Sequence, residues 1–247
     1  MHSILVYHSI SSPAEPLPGH IVMSPERFEK QMQWLSRWRN VVRLFQTLRA
    51  PAGERLVSIT FDDGYRDNLT TALPILEKFN FPVTLFVAPG LLGKKGYLSH
   101  DELREISRHP LVTIGAHGLH NRRFTELNRN DSRFELIESR IILEKITKKR
   151  VELMSWPHGV CNEELERLCE ASGYSASWSE WNGEDTSHSL KRITLYREDN
   201  MPRFIAKVTG AYFPLKSFQS KLEKLKVRAS RRLVAQPQYH QPGEVQH

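Results

Sequence analysis

Short runs of β-branched, aromatic and aliphatic residues recur along the chain, separated by longer stretches with helical spacing. Seven runs read as strands: Ser3–His8, Leu56–Phe61, Pro82–Val87, Val112–Ala116, Val151–Trp156, Tyr174–Trp178 and Arg192–Tyr196. Ser24-Pro25-Glu26 supplies a cap, a first-turn proline and an early acid, and Phe28, Met32 and Leu35 then share a helical face. Asp67 precedes a second helix with Leu69, Leu73 and Leu76 on one face, where Pro74 predicts a kink or a later start. A short helix covers Asp101–Arg108. Asp131 opens a long one with Phe134, Ile137, Ile141 and Ile142 inward. Asn162 opens another, with Leu165, Leu168 and Cys169 inward and Gly173 at its end.

Strands that alternate with helices predict a parallel sheet with crossovers, and near-continuous apolar strands fit a sheet covered on both faces. No linker or repeat divides the units. The expected fold is α/β: a single-domain, irregular (β/α) barrel of about seven parallel strands over residues 1–214. Residues 215–247 read as a basic helix and a polar, disordered tail. An open doubly wound sheet is the alternative, but the glycine-rich phosphate fingerprint of its nucleotide-binding form is missing.

Composition narrows the setting. Hydrophobic residues make up 39% and charged residues 26% of the 247, which fits a soluble globular protein. No apolar run approaches the length of a membrane span. "MHSILVYHSI" lacks the basic start and long apolar stretch of a signal peptide, so a cytoplasmic location is expected. Cys161 and Cys169 form no disulfide framework; placed eight apart on a helix they would lie roughly 12 Å apart along its axis. The net charge of +7 is concentrated between Lys216 and Arg232, where Glu223 is the lone acid. That segment reads as a solvated helix or as a peripheral contact with the anionic inner membrane face; no specific nucleic acid is expected.

In such folds chemistry gathers where strands end. The first strand ends at His8, the second at Asp62-Asp63, the fourth at His117 with His120 close behind, and the fifth at Trp156–Gly159. Carboxylates and imidazoles delivered to one rim suit a divalent cation, zinc above all, with one carboxylate as ligand and the other as proton acceptor. Both roles fall to neighbours only if the backbone turns between them, which Gly64 permits.

"TFDDG" after a strand, "GAHGLHNRRF" after another and "SWPHG" before a helix together resemble the polysaccharide deacetylases of carbohydrate esterase family 4. "ILVYHSI", "FPVTLFV" and "KRITLYREDNMPRFIAKVTGAY" resemble the branch found with polysaccharide-assembly proteins, and the match spans roughly residues 3 to 212. The resemblance implies a hydrolase of amide carbon–nitrogen bonds other than peptide bonds. It would remove an acetyl group, N-acetyl in the first place, from a sugar, a polysaccharide or a glycolipid precursor. It makes Asp62 the general base on a metal-bound water and Asp63 a metal ligand with His117. The second histidine slot holds Asn121, with His120 one position early; either completes the metal set. The backbone N–H of His158 would stabilise the oxyanion, with Pro157 and Trp156 at the sugar site. The alternative for Trp156 is a buried core indole. Arg192 is assigned to the substrate site, where it would orient a carboxylate; a salt bridge on the outer surface is the alternative. The family's late histidine acid is missing, and His8 is its expected replacement. Asn121 in the ligand slot, Ser155 where relatives carry arginine and His100 where they often carry an aromatic favour a rival reading: a degraded barrel that binds carbohydrate or serves as an assembly partner.

Overall fold

Seven parallel strands close into a barrel in the computed structural model, which describes residues 2–11, 21–47, 54–180 and 190–212. They are β1 (Ser3–Tyr7), β2 (Leu56–Phe61), β3 (Val83–Val87), β4 (Val112–Ala116), β5 (Leu153–Ser155), β6 (Ala176–Glu180) and β7 (Leu190–Thr194). The ring closes because β1 pairs with both β2 and β7: Tyr7 stands opposite Phe61, and Val6 opposite Thr194. Two-residue strand Asn40–Val41 adds to the start of β2. The last two strands are displaced from the sequence expectation by two residues, in opposite directions. The basic segment from Lys216 to Arg232 and the polar tail lie outside the described residues.

Strand alternation sorts side chains into two cores. Leu5, Tyr7, Val57, Ile59, Phe61, Val83 and Leu85 point outward under the helices. Ile4, Phe86, Leu153 and Trp178 point inward and fill the barrel with Leu44. Gly115 is part of that fit, since a Cβ there would come within 2.5 Å of the Phe86 ring.

The helices of six residues or more are α1 (Pro25–Trp38), α2 (Leu73–Lys78), α3 (His100–Arg108), α4 (Arg129–Thr147), α5 (Glu163–Ala171) and α6 (Met201–Thr209). Ser24 caps α1 with Pro25 in its first turn. Pro74 proves compatible with its helix because residues Asn68–Ala72 form a π-helical segment and α2 restarts at Leu73, putting the proline in a first turn. Ser99 and Glu102 form a reciprocal capping box on α3. Asn162 caps α5, which begins at Glu163, so Cys161 lies outside the helix. Neither Cys161 nor Cys169 forms a disulfide.

Helix α4 departs from expectation. Phe134 and Ile141 face solvent at 56% and 48% exposure, while Ser132, Glu135, Leu136, Ser139 and Leu143 are buried. The helix is rotated so that a carboxylate, Glu135, enters the protein beneath the loop after β4. Accordingly, Phe134→Lys should change unfolding free energy by less than about 0.5 kcal/mol. Leu136→Ala should cost about 2–5 kcal/mol in urea titrations. The reverse order would contradict this rotation.

Candidate active site

The inward register carries the chemistry. Continuing each strand's alternation past its end places His8, Asp62, His117, Ser155, Glu180 and Arg192 on the barrel-lumen side, at or near the C-terminal rim. The ladder extends to hold several of them: Asp62 donates its N–H to the Tyr7 carbonyl (3.0 Å) and His117 to the Val87 carbonyl (3.0 Å). The Asn68 amide fixes the His8 carbonyl at 2.8 Å.

Asp62 is 1% exposed and Arg192 0%. The guanidinium grips the carboxylate with two hydrogen bonds, 2.8 Å to Oδ1 and 2.7 Å to Oδ2. Arg192 also donates to Thr60 Oγ1 (3.1 Å) and to Ser155 Oγ (2.5 Å), and Ser155 Oγ donates in turn to Asp62 Oδ2 (3.3 Å). Its guanidinium lies over the Phe86 ring at 5.1 Å. Burial alone would push the Asp62 carboxyl up. Arg192, joined by His117 and His8, more than offsets this and holds it at about 2. Arg192 is therefore neither an outer-surface ion pair nor open to substrate: it is the buried counter-ion of Asp62. Ser155, with its small side chain, leaves room for a guanidinium delivered from β7.

Immediately after Asp62 the chain reverses. Gly64 N–H bonds the Asp62 carbonyl at 3.0 Å, and Asp63 between them has φ 72°. The turn is thus centred on Asp63 itself, a conformation that costs a non-glycine residue about 1–3 kcal/mol. It throws the Asp63 carboxylate away from Arg192 and towards β4. Oδ1 lies 3.4 Å from His117 Nε2 and accepts the Asn121 amide at 3.0 Å. Tyr65, buried and stacked on Tyr97, stands nearby; burial and then the Asp63 charge push its hydroxyl up, so it stays protonated.

His117 is 3% exposed, and its Nδ1 lies 3.0 Å from the Ser155 carbonyl. A carbonyl only accepts, so Nδ1 carries a proton, and in the neutral ring Nε2 offers its lone pair towards Asp63. Two lone pairs facing each other suit a cation between them. Ligands about 2.1 Å from a tetrahedral ion lie about 3.4 Å apart, which matches the Asp63–His117 spacing. Asn121 (φ 57°) would bring its amide oxygen to the same place by a half-turn about its Cβ–Cγ bond. His120 turns the other way: its Nδ1 pairs with Glu135 Oε1 at 2.8 Å.

A second donor group lies across the lumen. A His8 nitrogen, an Asp62 oxygen and a Glu180 oxygen fall within 4.8 Å of one another. Here Arg192 already occupies both Asp62 oxygens with a positive charge, so this group fits a cation less well than Asp63 and His117. His8 Nδ1 is buried without a hydrogen-bond partner, and Glu180 is fixed by Thr194 Oγ1 at 2.5 Å. Trp156 is 0% exposed and packs edge-on to Phe124 at 5.2 Å, so it is a core indole rather than a sugar wall. Pro157 is buried too. His158 is exposed at φ 60°, in a turn closed by the Gly159 N–H on the Trp156 carbonyl.

The polysaccharide deacetylase family model matches residues 49–177, and the chain belongs to that family. This places it among hydrolases of amide carbon–nitrogen bonds other than peptide bonds. It is 28% identical over 216 residues to YxkH of Bacillus subtilis (strain 168), a protein whose name places it among the polysaccharide deacetylases, covering 85% of this chain and 75% of that one. It is 25% identical over 178 residues to the poly-β-1,6-N-acetyl-D-glucosamine N-deacetylase of Staphylococcus aureus (strain MSSA476), covering 64% of this chain and only 60% of that enzyme. A polysaccharide deacetylase from Bacillus cereus shares the fold with a TM-score of 0.73 at 20% identity, over 84% of this chain and 68% of that one.

Removing Arg192 should expose its role. Arg192→Met leaves a buried carboxylate uncompensated and should cost about 3–5 kcal/mol at neutral pH. The wild-type contribution is present above the carboxyl's ordinary value of 3.8 and is lost as pH falls towards about 2. In the variant, burial raises the same carboxyl, so the deficit should shrink on acidification. Urea titrations at several pH values check this; a deficit independent of pH would contradict it.

Proposed function

We propose that this protein is a metal-dependent deacetylase that hydrolyses the N-acetyl group of an amino sugar in a polysaccharide or glycolipid precursor. The observation that carries the reading is the division of labour between neighbours: Asp62 bound to Arg192, Asp63 free to meet His117. Asp63 and His117 would hold the ion, zinc by the chemistry of the donors, with Asn121 as the third protein ligand. When bound, the ion supplies Lewis acidity, polarising the acetyl carbonyl and acidifying the attacking water.

The protein's own groups account for the rest. Asp62 is ionised at all pH values above the acid range and accepts the proton of the water it orients. Its weak basicity is matched to a water already acidified. The His158 N–H would bond the developing oxyanion. His8, on the far side of Asp62 with Glu180 beside it, gives a proton to the departing amine. Water and amide become acetate and a free amine.

The test is acetate release from β-1,6-linked N-acetylglucosamine oligomers and from N-acetylated glycolipid precursors, with zinc and with a chelator. Asp62→Asn should lower kcat by about 10²–10⁴-fold while retaining stoichiometric zinc. Asp63→Ala should lose the zinc itself. Zinc bound by wild type with no acetate from any substrate would favour a carbohydrate-binding role instead.

A further inference from the structure

Glu135 is a buried carboxylate that the proposed chemistry does not use. It is 1% exposed and sits on α4, in the second helical turn. Its Oε2 accepts the backbone N–H groups of Leu119 (2.8 Å) and His120 (2.9 Å), and its Oε1 bonds His120 Nδ1 (2.8 Å). The loop so gripped runs from His117 to Asn121, the two residues that meet Asp63. A second element grips it from another side: Gly90 donates to the Leu119 carbonyl at 2.7 Å, and a Cβ on Gly90 would come within 2.6 Å of that oxygen. Gly118, at φ 65°, packs against Phe124 and the Glu135 carboxylate in the same arch.

Burying an ionised carboxylate is costly, and the cost is offset only because three donors converge on it. The helix turns Phe134 outward to present this charge. A structural filler would be apolar; a carboxylate that reads two consecutive N–H groups fixes backbone direction. Asn121, in the left-handed region, has its side chain aimed at Asp63 only while that direction holds.

We infer that Glu135 is a positioning residue for the cation site: it sets the His117–Asn121 arch so that both donors converge with Asp63. The inference rests on the proposed placement of the ion. Its test measures zinc affinity of the metal-free protein by chelator competition, alongside thermal unfolding and the visible spectrum of the cobalt-loaded protein. Glu135→Gln should weaken zinc binding about 10–100-fold and alter the cobalt bands. His120→Ala, which keeps both backbone bonds to Glu135, should stay within about threefold of wild type. Leu143→Ala on the same helix should lower the unfolding temperature yet leave affinity within about twofold. Should Glu135→Gln not fold, Glu135→Asp, with charge kept and reach shortened, takes its place with the same expectation. Unchanged affinity in the Glu135 variant, or an equal loss in Leu143→Ala, overturns the role of Glu135 alone. A wild-type protein that takes up no zinc overturns the cation placement with it.

Discussion

The buried pair of Arg192 and Asp62 is the constraint on which the site depends. A carboxylate taken out of water needs a counter-ion, and a fully buried guanidinium with two hydrogen bonds supplies it. Once Arg192 has claimed both oxygens of Asp62, that residue is a poor place for a metal. The neighbouring Asp63, swung away by a strained turn, is a good one. Two adjacent carboxylates, chemically identical in the sequence, are thereby given different environments. The low proton affinity of Asp62 and the open lone pair of His117 both follow from contacts made inside the barrel wall.

The barrel explains how residues far apart in sequence come together. Every parallel strand points its C-terminal end to the same rim, and alternation directs every second residue into the lumen. His8, Asp62, His117, Ser155 and Glu180 obey that parity from five different strands. Ser155 then does two jobs at once: its carbonyl fixes the His117 tautomer and its hydroxyl bridges Arg192 and Asp62. The loops beyond the rim are held from outside, by Asn68 at His8 and by Glu135 at the arch after β4.

Much of this was legible in the sequence because it depends on local signals. All seven strands, the caps at Ser24 and Asn162, and the rim positions of His8, Asp62, Asp63 and His117 follow from runs of apolar residues and where they stop. What was hidden depends on tertiary packing. Ending the sixth strand at Trp178 concealed Glu180, which the strand-end rule finds once the strand is extended by two residues. Arg192 was assigned to the substrate site as a residue that orients a carboxylate; that the carboxylate is the buried Asp62 was hidden because the partner lies 130 positions away. Trp156 looked like a sugar platform because an indole suits either a wall or a core. Helix α4 was rotated because apolar spacing favours Phe134 and Ile141, whereas unsatisfied loop N–H groups favour Glu135.

The most direct measurement is the position of a bound ion. Anomalous diffraction from crystals grown with zinc should show one strong peak about 2 Å from Asp63 and His117, with the Asp62–Arg192 hydrogen bonds intact. A peak enclosed instead by His8, Asp62 and Glu180, with Arg192 displaced, would contradict the account.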